Sequence, residues 1–194
     1  LLPLDDDEEF MIVDVGAGSD ESVCTRRHGP VIVDLQTKVT SESQELVNWL
    51  IALIFKFEPS MVFIDPLGVG WGIAGILEQR CPQARIVSVN VTEMPTDATR
   101  FARMRDELWW RLREQFEKRT ISIPNDILLI DELLAMKLDQ KTYEQKGIIK
   151  IESKRDMIKR GVESPNRGDT LAMSCYYELE HMRMMKQEGT ARNW

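Results

Sequence analysis

The sequence contains few of the residues that build disulfide frameworks, zinc sites or membrane spans. It has 3 cysteines and 2 histidines among 194 residues. Cys24, Cys81 and Cys175 are far apart and form no Cys-x-x-Cys pair, so neither a disulfide framework nor a zinc site is supported. The most apolar stretch, residues 46–57, is interrupted by polar residues and is too short to cross a bilayer. These absences favour a protein of a reducing compartment, with no membrane among its partners.

Positive charge is also in short supply, since the formal net charge is −7. A domain that coats nucleic acid non-specifically needs a positive surface, which this balance does not supply. The positive residues are nevertheless concentrated in two segments: Arg100, Arg103, Arg105, Arg111, Arg113, Lys118 and Arg119 in the first, and Lys150, Lys154, Arg155, Lys159 and Arg160 in the second. Either these segments form a binding face or they are ordinary solvated helix faces, and the sequence leaves both interpretations open.

With 43% hydrophobic residues, a chain of 194 residues can bury one sizeable core, so a single domain is expected. Apolar periodicity and turn residues predict a β-meander followed by alternating helices and strands. The predicted strands are 9–15, 21–28, 30–36, 61–65 and 84–90, and the predicted helices are 46–57, 73–80, 96–118, 125–137 and 164–186. A hairpin with a turn at Lys146-Gly147 is predicted over residues 143–152. A helix in the crossover before strand 61–65 favours a parallel connection, so the sheet is predicted to be mixed.

Three aspartates occupy apolar surroundings at or near the ends of these elements. Asp14 lies within Phe10-Met-Ile-Val-Asp-Val-Gly, Asp65 closes the strand 61–65, and Asp169 lies early in the last long helix. A carboxylate in such a setting is costly unless a partner neutralises it, and no matching cations stand nearby in the sequence. If the fourth strand lies parallel beside the first, Asp14 and Asp65 are neighbours, and packing of the last helix brings Asp169 to them. Three carboxylates can hold two Mg²⁺ or Mn²⁺ ions for an in-line displacement at phosphorus.

Four segments in this order resemble one family. They are Ile12-Val-Asp-Val-Gly-Ala-Gly-Ser-Asp-Glu-Ser-Val, Val62-Phe-Ile-Asp-Pro-Leu-Gly-Val-Gly, Arg100-Phe-Ala-Arg-Met-Arg-Asp-Glu-Leu-Trp-Trp-Arg-Leu-Arg-Glu, and Ile151-Glu-Ser-Lys-Arg-Asp-Met-Ile-Lys-Arg-Gly running into Ser164-Pro-Asn-Arg-Gly-Asp-Thr-Leu-Ala. Together they resemble the C-terminal nuclease domain of the large terminase subunit of tailed bacteriophages, within the ribonuclease H-like superfamily. The family often has alanine where Gly168 stands. No Gly-x-x-x-x-Gly-Lys-Ser/Thr phosphate loop occurs, so motor activity is not expected of this chain.

The resemblance implies an α/β, ribonuclease H-like fold: a central mixed five-stranded sheet, with three antiparallel strands and then parallel strands, flanked by helices and extended by a C-terminal hairpin and further helices. It implies a metal-dependent endonuclease that cuts concatemeric viral DNA during genome packaging, with two Mg²⁺ or Mn²⁺ ions held by Asp14, Asp65 and Asp169. The implied partners are double-stranded DNA, an N-terminal packaging ATPase of the full-length protein, the portal and the small terminase subunit. The implied location is the host cytoplasm, for a viral protein that is not a virion component.

The chain begins with leucine and an acidic run, which suggests a fragment of a longer protein. We therefore expect residues 1–9 to be a residual linker, 10–187 to be the nuclease domain and 188–194 to be a disordered tail.

Two further residues are candidates for supporting roles. Asp20 is either a fourth, outer carboxylate or a turn residue that opens the second strand. Lys154 either meets a phosphate or the scissile site, or is a solvated lysine at a helix start. The candidate DNA-binding residues are Arg100, Arg103, Arg105, Lys150 and Arg155.

Other classes of protein remain as alternatives. A Holliday-junction resolvase or a transposase-like nuclease would have the same fold, and a non-catalytic docking module of a packaging motor would keep the acids for structural reasons. Val13-Asp-Val-Gly-Ala-Gly-Ser also resembles the phosphate loop of actin-like and sugar-kinase-like ATP-binding proteins, although 194 residues leave no room for their second lobe. Trp109 and Trp110 either pack in the core or stack on bases.

Overall fold

A computed structural model of the chain describes residues 2, 8–16, 20–66 and 70–179. Its five-stranded sheet consists of β1 (Glu9–Asp14), β2 (Glu21–His28), β3 (Val31–Val39), β4 (Met61–Ile64) and β5 (Arg85–Ser88). The spatial order is β3-β2-β1-β4-β5. The pairs β1–β2 and β2–β3 are antiparallel, whereas β1–β4 and β4–β5 are parallel. The predicted mixed sheet of three antiparallel strands followed by parallel strands is confirmed.

The described helices flank this sheet. They are α1 (Ser43–Phe57), α2 (Gly70–Arg80), α3 (Met104–Lys118), α4 (Ile127–Ala135), α5 (Gln140–Lys146), α6 (Lys154–Lys159) and α7 (Asn166–Met173). Helix α3 starts eight residues later than the predicted Thr96. The buried carboxylate of Glu107 accepts hydrogen bonds from the backbone N–H and the hydroxyl of Thr96, which holds the segment before α3 as a loop against the helix.

The two faces of the sheet support separate cores because successive side chains of a strand point to opposite faces. On β1, Phe10 and Ile12 join the core formed with α3, α4 and α7, whereas Met11 and Val13 join the core formed with α1 and α2. On β4, Phe63 belongs to the first core and Val62 to the second. The central strands β1 and β4 are therefore apolar on both faces, as expected for strands covered by helices on each side.

The predicted hairpin over residues 143–152 is wrong. The segment around Tyr143 forms α5, which begins where the Asp139 side chain accepts a hydrogen bond from the Thr142 N–H at 3.0 Å. Gly147, at φ 66°, ends α5 in the left-handed conformation that favours glycine. The Lys146-Gly147 pair is thus a helix terminus, and between residues 138 and 151 only an isolated antiparallel bridge joins Leu138 to Ile151.

The predicted helix 164–186 is also shorter than expected over the residues that the structure describes. Helix α7 ends at Met173, and a turn at residues 174–175 separates it from a helical turn at residues 176–179. The Ser174 hydroxyl donates to the Leu171 carbonyl, and Arg27 donates to the Ser174 hydroxyl at 3.0 Å. The Cys175 N–H then donates to the carbonyl of Ala172, three residues back, as the regular helix ends. Residues 180–194, including the predicted tail 188–194, lie outside the described residues, as do most of residues 1–9. No helix in the described ranges is long and apolar enough to cross a membrane.

Candidate active site

Two of the predicted acids meet at the ends of neighbouring parallel strands. Val13 of β1 is paired with Ile64 of β4, and the Asp65 N–H continues this ladder by donating to the Val13 carbonyl at 3.1 Å. Asp14 follows Ile12 by two residues, so it points to the face of the sheet that carries α3 and α7. Strand alternation and parallel pairing thereby bring Asp14 and Asp65 together at the carboxyl ends of β1 and β4.

Helix α7 brings the third acid to the same ends of β1 and β4. The hydroxyls of Thr170 and Thr25 form a buried hydrogen bond of 2.7 Å, which fixes where the helix lies on β2. Asp169, the preceding residue, is 9% exposed. All three carboxylates line one pocket of about 320 Å³, together with Val91, Thr92, Arg103, Arg105, Leu108, Trp109, Ser153, Lys154, Ala172 and Met173.

The expectation that no cations accompany these acids is wrong. Lys154 Nζ lies 2.9 Å from Asp169 Oδ2, and Arg105 Nη2 lies 3.2 Å from Asp169 Oδ1. These two cations come from α6 and α3, and Arg105 of α3 is 64 residues from Asp169 in sequence. Asp169 therefore has an ionic partner at each carboxylate oxygen.

A small set of hydrogen bonds delivers Lys154 to the pocket. The Asp106 side chain accepts from the Ile151 N–H at 2.8 Å, and Arg105 Nη1 donates to the Glu152 carbonyl at 3.1 Å. These bonds hold the strand-like segment 149–152 against the start of α3. Ser153 then caps α6 by accepting from the Asp156 N–H at 3.2 Å, and Lys154 is the first residue of that helix.

The electrostatic environment shifts the pKa values of Asp14 and Asp169 in opposite directions. Burial raises the pKa of Asp14 to about 7; Lys154 opposes this rise, while Asp169 and Asp65 add to it. Burial would raise the pKa of Asp169 as well, but Arg105, Lys154 and the hydrogen bond from Trp109 together hold it below its usual range. Of these two carboxylates, Asp14 is the one whose negative charge the surrounding side chains compensate less.

In the described part of the chain, no group of three His, Cys, Asp or Glu side chains is arranged so that it could hold one metal ion. The two oxygens of Asp169 face Arg105 and Lys154 instead. The chemistry of the donors nevertheless fits a hard divalent cation, because Asp14, Asp65 and Asp169 offer only oxygen atoms and the charge of Asp14 is poorly compensated. These three residues would hold the ion, provided that Lys154 turns away from Asp169.

The remaining predicted residues are placed unequally. Arg103 is exposed and lines the pocket, and Arg155 is exposed on α6 beside Lys154. Arg105 is engaged inside the site rather than on a DNA-facing surface. Asp20 is exposed in the bend before β2 and does not line the pocket.

The other candidate DNA-binding residues lie in ion pairs. Arg100 lies 3.7 Å from Glu114, and Lys150 lies 3.0 Å from Asp139. The same holds for further members of the two basic segments, which pair as Arg111–Glu107, Arg113–Glu117, Lys118–Glu114, Lys159–Asp156 and Arg160–Glu152. Much of the positive charge in both segments is thus compensated locally, and Arg103 and Arg155 are the better placed for phosphate contacts.

Sequence reasoning missed the contribution of Trp109 to the site. Its Nε1–H donates to Asp169 Oδ1 at 2.9 Å, in a buried position. The signal was present in the spacing, because Arg105 and Trp109 are one helical turn apart and so share a face of α3. Trp110 behaves differently, since the guanidinium of Arg113 lies 4.4 Å from its ring centroid and covers a face that a base would need.

A mixed sheet in the order β3-β2-β1-β4-β5, with acids at the carboxyl ends of its two central parallel strands and on a later helix, defines a ribonuclease H-like fold. Among solved structures, the chain is similar to a mutant nuclease domain of the large terminase subunit of bacterial virus Sf6 with manganese and beta-thujaplicinol, at a TM-score of 0.75 and 17% identity over 86% of each chain. It is also similar to the large terminase nuclease from thermophilic phage G20c with bound magnesium, at a TM-score of 0.63 and 20% identity over 88% of this chain and 81% of that one. For the large terminase nuclease domain of Thermus phage P74-26 the TM-score is 0.65, with 18% identity over 89% of this chain and 80% of that one.

The chain therefore has the fold of the large terminase nuclease domains. No protein-family model matches it, and no curated protein sequence does.

Proposed function

We propose that this chain is a divalent-metal-dependent endodeoxyribonuclease that hydrolyses phosphodiester bonds of double-stranded DNA. The observation that carries the proposal is that Asp14, Asp65 and Asp169 line one pocket at the carboxyl ends of β1 and β4. The similarity of the fold to terminase nucleases, two of which are described with manganese or magnesium, supports it. An all-oxygen donor set beside exposed Arg103 suits a phosphate substrate with a hard metal ion.

The residues of the pocket divide the work. Asp14, Asp65 and Asp169 would hold the two Mg²⁺ or Mn²⁺ ions, which would supply Lewis acidity for activating water and stabilising the leaving oxygen. Arg103, exposed at the pocket, contacts a backbone phosphate and helps to hold the strand. Lys154 compensates Asp169, and once a metal takes its place there it would meet the phosphate that is cut.

We extend the proposal to a biological setting. We place the chain in a large terminase subunit that cuts concatemeric viral DNA during packaging in the host cytoplasm and is not a virion component. In that setting its partners are an N-terminal packaging ATPase, the portal and the small terminase subunit. Asp20, exposed outside the pocket, has at most an outer role, and Arg155 extends the phosphate-binding surface along α6.

The test is cleavage of supercoiled plasmid by the chain in Mn²⁺, in Mg²⁺ and in EDTA, beside three aspartate-to-asparagine variants. Asp65→Asn and Asp169→Asn should lose cleavage in both metals, because each removes a charged oxygen ligand. Asp131→Asn is the matched control: Asp131 is exposed on α4 and should cut like the parent.

A parent that nicks nothing in either metal would refute the nuclease and leave a docking module with structural acids. Cleavage that persists in EDTA, or equally in the Asp65 and Asp169 variants, would refute the metal-dependent mechanism.

A further inference from the structure

The indole of Trp109 lies between two concave surfaces of the molecule. It lines the acidic pocket, and it also lines a neighbouring apolar groove of about 590 Å³ bounded by α3, α4 and α5. The residue is only 6% exposed, so its ring is fixed by packing. Its Nε1–H is directed into the acidic pocket, where it donates to Asp169 Oδ1 at 2.9 Å.

Gly168 makes this position of the indole possible. A Cβ atom on residue 168 would lie 2.7 Å from Cη2 and 3.2 Å from Cζ2 of Trp109, which is closer than carbon atoms pack. The absence of a side chain at Gly168 therefore lets the ring rest against the first turn of α7, beside Asp169. The Gly168 N–H is itself fixed, because it donates to Glu132 Oε2 at 2.8 Å.

The three donors to Asp169 differ in charge, and this difference suggests separate roles. Arg105 and Lys154 are cations that partly neutralise the carboxylate and compete with a metal ion for it. The indole N–H of Trp109 carries no net charge, so it can fix the direction of the carboxylate without cancelling the charge that attracts a metal. Neutral donors of this kind orient ligands in many metal sites, and their loss typically costs about 10- to 100-fold in metal affinity or activity.

We propose that Trp109 is a positioning residue for Asp169: it sets the orientation of this carboxylate for divalent metal, and Gly168 provides the space for it to do so. The proposal rests on the proposed function in one respect, namely that Asp169 is a metal ligand. It goes further by assigning a role to a residue of α3 that acts through the Asp169 carboxylate.

The primary test is calorimetric titration of the chain with MnCl₂, comparing the parent with Trp109→Phe and Trp110→Phe. Trp109→Phe keeps an aromatic ring and removes the N–H, so manganese affinity should fall about 10- to 100-fold. Trp110→Phe is the matched control, since Trp110 is the adjacent residue and lines the apolar groove but not the acidic pocket. It should bind manganese like the parent. In plasmid cleavage, Trp109→Phe should lower kcat and leave KM for DNA unchanged.

A second variant separates the hydrogen bond from packing. Incorporation of 3-benzothienylalanine at position 109 preserves the shape of the indole and replaces the N–H by sulfur. The benzothienyl protein should melt within a few degrees of the parent in EDTA and show the same loss of manganese affinity as Trp109→Phe. A benzothienyl protein that binds manganese with the affinity of the parent would overturn the proposal, and so would a loss in Trp110→Phe equal to that in Trp109→Phe.

The role of Gly168 is tested by a double-mutant cycle. Gly168→Ala should weaken manganese binding on its own, because the new Cβ displaces the indole. In the Trp109→Phe background the six-membered ring that carries Cη2 is missing, so Gly168→Ala should add little to the loss. Fully additive losses would show that Gly168 acts independently of Trp109 and would refute that part of the proposal.

These outcomes are distinguishable from failure of the nuclease itself. A parent that binds manganese and cuts no DNA would refute the proposed function, while the comparison of manganese affinities would still decide the role of Trp109. A parent that binds no manganese would overturn the positioning role, because Asp169 would then not be a metal ligand.

Discussion

The two faces of the sheet bury different chemistry. On the face covered by α1 and α2, the core consists of apolar side chains such as Leu50, Leu77 and Ile64, and buried Ser22 accepts the Gly16 N–H at its margin. On the face covered by α3 and α7, apolar residues are interleaved with buried polar or charged side chains, which are Thr25, Arg27, Asp106, Glu107, Gln115, Asp169, Thr170 and Ser174. Two atoms of this set, Asp106 Oδ2 and Gln115 Oε1, are buried with no hydrogen-bond partner in the described part of the chain.

This difference indicates how the fold divides stability and function. Apolar burial stabilises at about 25 cal/mol per Å² without constraining orientation, so the α1/α2 face can supply stability alone. A buried polar network is costly unless it is satisfied, but it fixes side chains in particular orientations. The α3/α7 face therefore holds the acids in place, and the opposite face offsets the cost.

The largest effect is expected for Asp14→Asn, a change on the α3/α7 face that should lower cleavage and not stability. Asp14→Asn should reduce cleavage about 100-fold or more, since partners outside the ligand shell alone typically contribute about 10- to 100-fold. It should not destabilise the protein. Burial raises the pKa of Asp14 to about 7, so ionising this carboxyl costs folding free energy as pH rises through that value, and the asparagine avoids the cost. The measurements are plasmid cleavage and chemical denaturation at pH 8; a free energy of unfolding several kcal/mol below that of the parent would contradict the comparison.

The reverse pattern is expected on the apolar face. Leu50→Ala removes a fully buried side chain of α1 and should lower the free energy of unfolding by about 2–5 kcal/mol. Below its unfolding transition the variant should retain the manganese affinity of the parent, because Leu50 lies in the core on the opposite side of the sheet from the pocket. Urea denaturation and calorimetry measure the two quantities. A large loss of manganese affinity in folded Leu50→Ala would show that the two faces are not independent.

Bound metal should stabilise the folded protein only through its ligands on the α3/α7 face of the sheet. A ligand that binds the folded state alone adds about 2.7 kcal/mol at a concentration of 100 times its Kd. The melting temperature of the parent and of Leu50→Ala should therefore rise in millimolar MnCl₂, and that of Asp65→Asn should rise much less. Differential scanning fluorimetry measures these melting temperatures. An equal rise in all three proteins would place the bound metal elsewhere.

The smallest expected effect concerns Glu132, whose carboxylate accepts the Gly168 N–H beside the site. Burial raises the pKa of Glu132 to about 7 from its ordinary 4.5. Between these values the folded state retains a proton that the unfolded state has lost, so stability should fall as pH rises from about 4.5 to about 7. Allowing for partial exposure, the loss should be about 1–2 kcal/mol.

Glu132→Gln keeps a hydrogen-bond acceptor and should remove this part of the pH dependence, as measured by denaturation at pH 5 and pH 7.5. Glu78→Gln, on the exposed side of α2, is the control and should follow the parent. A Glu132→Gln protein with the same pH dependence as the parent would contradict the assignment.

The parts of the fold that sequence predicted are those encoded by local patterns. Alternation and apolar runs located the five strands, and a helix between strands 30–36 and 61–65 predicted the parallel pairing that puts Asp65 beside Asp14. Gly147 illustrates a local signal with two meanings, since a glycine after a lysine ends α5 as readily as it turns a hairpin. The start of α3 was predicted too early because the bonds from Thr96 to Glu107 bridge 11 residues.

The parts of the site that sequence did not predict depend on contacts between distant elements. The expectation of unaccompanied acids ignored that α3 and α6 bring Arg105 and Lys154 to Asp169, across 64 residues in the case of Arg105. The hydrogen bond from Trp109 spans 60 residues and depends on the missing side chain at Gly168. No periodicity in one segment encodes such a pair, because each partner is ordinary in its own helix.

The most direct test of the central claim is the anomalous difference density of a crystal of the parent soaked in MnCl₂ and measured at the manganese absorption edge. We expect peaks in the pocket, within coordination distance of carboxylate oxygens of Asp14, Asp65 and Asp169, with Lys154 Nζ moved from Asp169 Oδ2. Peaks confined to other surfaces, or an occupied pocket in which these three carboxylates do not share the metal, would contradict the account.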